Sequence, residues 1–353
     1  MIYLDYQATT PLAPEALKAM LPWLEQGHAN PHSPHRAGRQ AKAAVEVARD
    51  QVASLLPPGG RVVFTSGATE ALNWAIKGAS GGIVTTAIEH AAVLDTAAAT
   101  GRPLTILPVD GQGVATPAPI PKGVGLVAAM LVNNEIGTIL PIAAMADDAH
   151  RAGAWMLCDA VQGYGRIPIP NGVDMVALSA HKIHGPKGIG ALWIRDGITL
   201  PPLLHGGDQE LGRSGTLSPA LCAGFGAAAK LMAARAEQDL AHVQRLWALA
   251  VDRLGPDWIV NGSTTHRYRG NLNIRRDGLD VARLMSDCRD VAFSAGSACA
   301  SGSGRPSHVL TALGLTDRQA KSSIRLGFGR YTTEAELTEA IDRLTAAAGA
   351  QRR

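Results

Sequence analysis

Apolar runs of four to eight residues alternate with helical patterns over most of this chain. Val62-Val63-Phe64-Thr65 reads as a strand. Thr69 to Lys77 reads as a helix, with Leu72 and Ile76 on one face and Gly78 as its stop. Gly82 to Thr86, Leu104 to Leu107, Gly125 to Val132, Ala154 to Asp159, Met175 to Ser179 and Ala191 to Ile194 continue the strand series. Strands that alternate with helices predict an α/β fold, a mainly parallel sheet with helices on both faces.

A long helical segment, Pro219 to Leu254, breaks the alternation. Its first half is rich in alanine and its second is more polar (Glu237, Gln238, Asp239, His242, Gln244, Arg245), as in a helix that leaves one domain for another. Shorter strand-like pieces follow at Trp258 to Val260, Asn271 to Ile274 and Ser323 to Leu326, mixed with helices. They predict a second, smaller α/β domain. The chain shows no repeat of fixed period.

Composition narrows the class. With 353 residues, 46% hydrophobic and 18% charged, the chain is globular and long enough for a sizeable core. A net charge of +3 is too small to argue for nucleic acid or an anionic membrane surface. No apolar stretch reaches the roughly 18 residues of a membrane span, and Met1 to Asp5 do not read as the start of a signal peptide. Cys158, Cys222, Cys288 and Cys299 lie far apart, without zinc spacing. That fits free thiols in a reducing compartment. The expectation is a cytoplasmic protein with no metal, no nucleic-acid partner and no membrane anchor.

The densest chemistry lies in Ser179-Ala180-His181-Lys182-Ile183-His184-Gly185-Pro186-Lys187-Gly188. Lysine is the side chain that forms a Schiff base with a carbonyl cofactor. Ser179 and His181 offer hydrogen bonds suited to a phosphate, and the glycines admit close backbone approach. The stretch points to Lys182 as the holder of pyridoxal phosphate. Phe64-Thr65-Ser66-Gly67-Ala68-Thr69-Glu70 passes from strand through a glycine turn into a helix, so Ala68 and Thr69 sit at an anion-binding helix start or at an ordinary cap. Asp159 ends a strand one unit before Lys182. It either pairs with a pyridinium nitrogen or caps the next helix. His90 after the Thr86 strand end suits stacking on a ring and carrying protons, or a structural role. Asn134 suits a hydrogen bond to a ring oxygen or substrate, or is simply part of a turn.

Phe293 to Arg305 is a run of small residues with Cys299 near its middle, a suitable place for a travelling nucleophile. The alternative is an incidental thiol. Cys158, Cys222 and Cys288 read as packing residues. Arg325 interrupts a strand-like run and suits two-point binding of an amino-acid carboxylate, against the competing reading of a surface arginine on an edge strand. His205 to Thr216 is a second glycine-rich loop with a cation, able to bring Thr216 to a phosphate of its own or of a partner subunit.

Taken in order, these segments resemble the cysteine desulfurases, pyridoxal-phosphate enzymes of aminotransferase class V. Tyr3-Leu4-Asp5-Tyr6-Gln7-Ala8-Thr9-Thr10-Pro11, Asn30-Pro31-His32-Ser33, Ser66 to Glu70, Asn133 to Gly137, Ser179 to Lys182 and Arg213 to Thr216 follow the family sequence. Gly296-Ser297-Ala298-Cys299 resembles the group I (NifS/IscS) type. The resemblance implies fold type I, with a large cofactor domain at 14–240 and a small domain from 1–13 and 241–353 that carries the cysteine loop. It implies a homodimer acting on L-cysteine, with Lys182 bound to the cofactor, Asp159 at the ring nitrogen and His90 on the ring. Gln162 and Asn134 would contact the ring oxygen or substrate. Ala68, Thr69, Ser179 and His181 would hold the phosphate with Thr216 of a second subunit, and Arg325 the substrate carboxylate. Cys299 would accept sulfur as a persulfide and pass it to an acceptor such as an iron–sulfur scaffold or a tRNA-thiolation protein.

Departures are few. Gln7 stands where smaller polar residues are usual and Ala29 where glycine is common before Asn-Pro, both expected to lie away from the chemistry. The chain stops soon after its last helix, so the extension that docks a scaffold in some relatives is expected to be short or missing, which leaves the partner open. Two rivals also stay open. A selenocysteine lyase or other class V enzyme is told apart by alanine production from L-cysteine and from selenocysteine. A non-catalytic sulfur-relay protein would lack bound cofactor.

Overall fold

The computed structural model describes residues 1–353 except 117, 211, 297–305 and 352–353. A seven-stranded sheet runs in the order Gly60–Thr65, Gly190–Arg195, Met175–Ser179, Trp155–Asp159, Val124–Met130, Gly82–Thr86, Leu104–Leu107. Gly190–Arg195 pairs antiparallel with both its neighbours, and the other pairings are parallel. One strand therefore runs against the other six.

Both faces of this sheet are apolar because successive side chains point to opposite sides. Val62 and Phe64 join one core cluster and Val63 the other; Val127 and Ala129 part from Leu126 and Ala128 in the same way. One face packs under the helices Pro14–Glu25, Arg36–Ala53 and Pro219–Leu254. On the other, the Ala68–Gly78 helix contributes Leu72, Trp74 and Ile76.

The long helix begins with Ser218, whose hydroxyl accepts from Leu221 N at 3.4 Å, and with Pro219 at its first position. It ends at Gly255, where φ is +74°. Its first half gives Cys222, Phe225 and Met232 to the large cluster, and its second half gives Leu246, Ala250 and Leu254 to a separate one. That separate cluster joins Leu4 from the start of the chain to Leu272, Ile274, Leu326, Phe328, Leu337 and Ile341. It backs a four-stranded antiparallel sheet ordered Ser294–Ala295, Ser323–Gly327, Asn271–Arg275, Ile259–Val260. Ile2–Tyr3 pairs with Val291–Ala292 beside it. Cys158, Cys222 and Cys288 are free and buried. No helix among the described residues is long and apolar enough to cross a membrane.

Candidate active site

Six strands of the central sheet share one direction, so their C-terminal ends meet along one edge. The turns after Thr65, Thr86, Met130, Asp159 and Ser179 open there onto a cavity of about 580 Å³. Ala68, Thr69, His90, Asn134, Asp159, Gln162, Ser179, His181, Lys182 and Arg325 all line it. Thr216 is exposed and outside the lining. Cys299 lies outside the described residues.

Lys182 closes a short turn, Ala180–Lys182, directly after the Met175–Ser179 strand. Its Nζ donates to Ala8 O at 2.8 Å and to Gln7 O. Burial is the main cause that brings its pKa down to about 8, and the Arg325 and Arg166 charges add to the fall; Asp5 and Asp159 oppose it. An amine so placed is partly neutral, hence nucleophilic, near physiological pH.

Asp159 is 6% exposed, and its Oδ1 accepts from Val161 N at 3.0 Å. Burial raises its pKa, against the Val161 amide and the charges of His90 and Lys182. A cation set against this carboxylate would restore its charge. His90 Nδ1 accepts from Ala92 N at 3.0 Å, which caps the Ala91–Ala99 helix and leaves the proton of the neutral ring on Nε2. Beneath them Glu89 is fully buried. Its Oε1 accepts from Thr86 Oγ1 at 2.6 Å and from Met130 N at 3.1 Å, and burial lifts the pKa of Glu89 to about 8.

The lining also includes a group of residues suited to an anion. No side-chain hydrogen bond caps the start of the Ala68–Gly78 helix, and Ala68 and Thr69 line the cavity, so a helix start with spare backbone donors borders the site. His181 Nδ1 lies 3.1 Å from Thr9 Oγ1, and burial, with Lys182 and Lys187 nearby, brings its pKa down to about 4. It is therefore a neutral hydrogen-bonding group at pH 7. Arg213 Nε bonds Glu70 Oε1 at 2.8 Å, which ties the glycine-rich loop to the first turn of this helix.

Arg325 is 1% exposed and sits in an interior strand of the antiparallel sheet, not on a surface edge. Nη1 donates to Asn134 O at 3.0 Å and Nη2 to Asp5 Oδ1 at 2.8 Å. Asn133, the neighbour of Asn134, holds the turn: its Oδ1 accepts from Glu135 N and Ile136 N, and its Nδ2 donates to Ile88 O.

One expectation is corrected. Gln7 does not lie away from the site but lines the cavity, and its carbonyl accepts from Lys182 Nζ and from Gln162 Nε2 at 3.0 Å. Its side chain is 4% exposed and donates to Gly270 O at 2.9 Å, which locks the N-terminal segment in place. Ser66, Ala8 and Lys187, to which the sequence pattern gives no individual role, also line the cavity. Each sits beside a motif residue, which was the signal available.

The residues present fit pyridoxal phosphate. A nucleophilic amine, a buried carboxylate and an uncapped helix start open onto one space. In addition, Gln162 Oε1 is buried there with no hydrogen-bond partner.

Comparison with known proteins agrees with this geometry. The family described as aminotransferase class V matches residues 2–340. "Cysteine desulfurase IscS" of Rickettsia bellii is 39% identical over 365 residues, spanning 96% of this chain and 89% of the relative. "Cysteine desulfurase, mitochondrial" of Eremothecium gossypii is 42% identical over 372 residues, spanning 98% of this chain and 75% of the relative. Among solved structures, a NifS-like protein from Rickettsia africae superposes with a TM-score of 0.91 at 29% identity, covering 98% of this chain and 99% of that one. A structure titled "SspA in complex with cysteine" gives 0.82 at 32% identity, over 94% of this chain and 100% of the other. The chain belongs to the aminotransferase class V family, among its cysteine desulfurases.

Proposed function

We propose that this enzyme removes sulfur from L-cysteine, with pyridoxal phosphate held at Lys182 and Cys299 as the sulfur acceptor. The observation that carries the reading is the Lys182 amine, lowered to about 8 by burial, in one cavity with Asp159 and the uncapped helix start. Asp159 would face the ring nitrogen, His90 the ring, and Gln162 and Asn134 the ring oxygen or substrate. Ala68, Thr69, Ser179 and His181 would bind the phosphate. When bound, the cofactor supplies an electron sink for chemistry at the substrate carbons.

The chain's own groups do the rest. Arg325 takes the substrate carboxylate. Lys182 Nζ, assisted by His90, moves the α-proton. The Cys299 thiolate attacks the substrate sulfur, the carbon–sulfur bond breaks with its electron pair left on the substrate carbon, that carbon takes up a proton, and Cys299 keeps the sulfur as a persulfide while L-alanine departs. The persulfide then passes to an acceptor protein such as an iron–sulfur scaffold. We assign residues 14–240 to a large domain and 1–13 with 241–353 to a small one, in line with the cluster that joins Leu4 to the C-terminal core. A homodimer is supported by Thr216, exposed and away from its own cavity, where it is free to complete the phosphate site of a second copy. Buried free cysteines suit the cytoplasm.

The test is to incubate the purified protein with L-cysteine and measure the mass of the Cys299 peptide. A gain of one sulfur is expected. Cys299→Ser should keep the bound yellow cofactor and lose sulfide release. Full desulfurase turnover in that variant would remove Cys299 from the reaction.

A further inference from the structure

The cation assigned to the substrate carboxylate already has an anionic partner. Arg325 Nη2 donates to Asp5 Oδ1 at 2.8 Å and to Ser294 Oγ at 3.3 Å, and Ser294 Oγ itself donates to Asp5 Oδ1 at 2.8 Å. Backbone pairing fixes this triad. Ser294 stands opposite Arg325 across an antiparallel ladder, and Asp5 bridges to Gly327 on the same strand. Arg325 lines the cavity; Asp5 does not, and its side chain is 20% exposed.

A guanidinium 1% exposed is costly to bury without a counter-charge, and Asp5 supplies one from outside the cavity lining. A second carboxylate that enters the cavity must share the cation with Asp5. Hydrogen bonds from the guanidinium to Asp5 aim it, whereas the charge of Asp5 repels the newcomer. The two effects have opposite signs, so a substitution that keeps one and removes the other separates them.

We infer that Asp5 is a positioning residue that sets how tightly Arg325 grips an α-amino-acid carboxylate, aiming the guanidinium while keeping its hold weak enough for the product to leave. This rests on the assignment of Arg325 as the carboxylate site. Asp5 lies outside the cavity lining and acts on the carboxylate through Arg325, whereas any influence of its charge on Lys182 would move both ligands alike.

The experiment is a calorimetric titration of the purified, cofactor-loaded protein with L-alanine and with L-alaninamide, whose carboxylate is replaced by a neutral amide. Asp5→Asn keeps an acceptor oxygen and removes the charge. It should tighten L-alanine binding about fivefold and leave L-alaninamide unchanged. The KM for L-cysteine should fall with it, without a rise in kcat, because a ground-state grip is strengthened. Asp5→Ala removes the acceptor as well and should bind L-alanine more weakly than Asp5→Asn does. Unchanged L-alanine affinity in Asp5→Asn, or an equal shift for both ligands, would overturn the inference. Sulfide release is read separately. If Asp5→Asn shows the L-alanine shift while the wild-type protein releases no sulfide from L-cysteine, the desulfurase reading fails and the role of Asp5 stands.

Discussion

The two sides of the cavity are built by different means. On one side, Lys182, Asp159 and His90 follow the ends of parallel strands whose two faces are both packed with apolar side chains. The strand ends set their positions, and short-range hydrogen bonds such as those from Lys182 Nζ to the carbonyls of Gln7 and Ala8 hold the side chains. On the other side, Arg325 lies in a small antiparallel sheet backed by a separate cluster, and polar contacts to Asp5, Ser294 and Asn134 fix it. The first side is placed by burial and the second by a hydrogen-bonded ion pair that ties both chain ends together. Such a division suits a site in which one wall keeps a permanent ring while the other takes and releases a substrate.

The hardest blow to the first side is Lys182→Ala. Sulfide release should drop at least about a thousandfold, as for loss of a residue that acts covalently. Borohydride should fix cofactor mass on residue 182 of the wild type and none on the variant. Folding should change little, because the amine makes its hydrogen bonds to loop carbonyls of Gln7 and Ala8 and not within the core. Undiminished turnover in the variant would dismantle the assignment of this wall.

The second side can be loosened without touching a polar group. Leu326 is fully buried beside Arg325 and points into the separate cluster. Leu326→Ala should cost about 2–5 kcal/mol, seen as a lower denaturant midpoint. Under folding conditions the KM for L-cysteine should rise while the cofactor content of the purified protein stays near one per chain. Loss of cofactor in step with KM would show that the two walls are energetically one unit.

Most of the first side was legible in the sequence, for a physical reason. Buried strands read as short apolar runs, and Asp159, His90 and Lys182 stand at or just after their ends, so the sequence alone marks all three as candidates. The long helix from Pro219 to Leu254 was equally plain, with its cap, its proline and its terminal glycine. The second side was harder to read. Asp5 and Gln7 sit in a segment with only a two-residue strand, and their partners Arg325 and Gly270 are hundreds of positions away. No periodicity reports a contact of that kind. The sequence pattern accordingly leaves Gln7 clear of the chemistry, whereas in the fold its carbonyl accepts from the lysine. The competing surface reading of Arg325 fails because its strand is flanked on both sides.

The mildest probe of the contrast is pH. In protein stripped of cofactor, burial holds the Lys182 amine at about 8, below the usual lysine value of about 10.4. A lowered lysine pKa means that the neutral, reactive form is in place above 8 and is lost as pH falls through it. Covalent capture of added pyridoxal phosphate should therefore quicken about tenfold per pH unit up to roughly 8 and then level off. Absorbance followed in a stopped flow from acid to alkaline pH measures this directly. A capture rate still climbing steeply at about pH 10 would give the amine ordinary basicity. The packed wall would then position the lysine without activating it, and the contrast between the two sides would reduce to geometry.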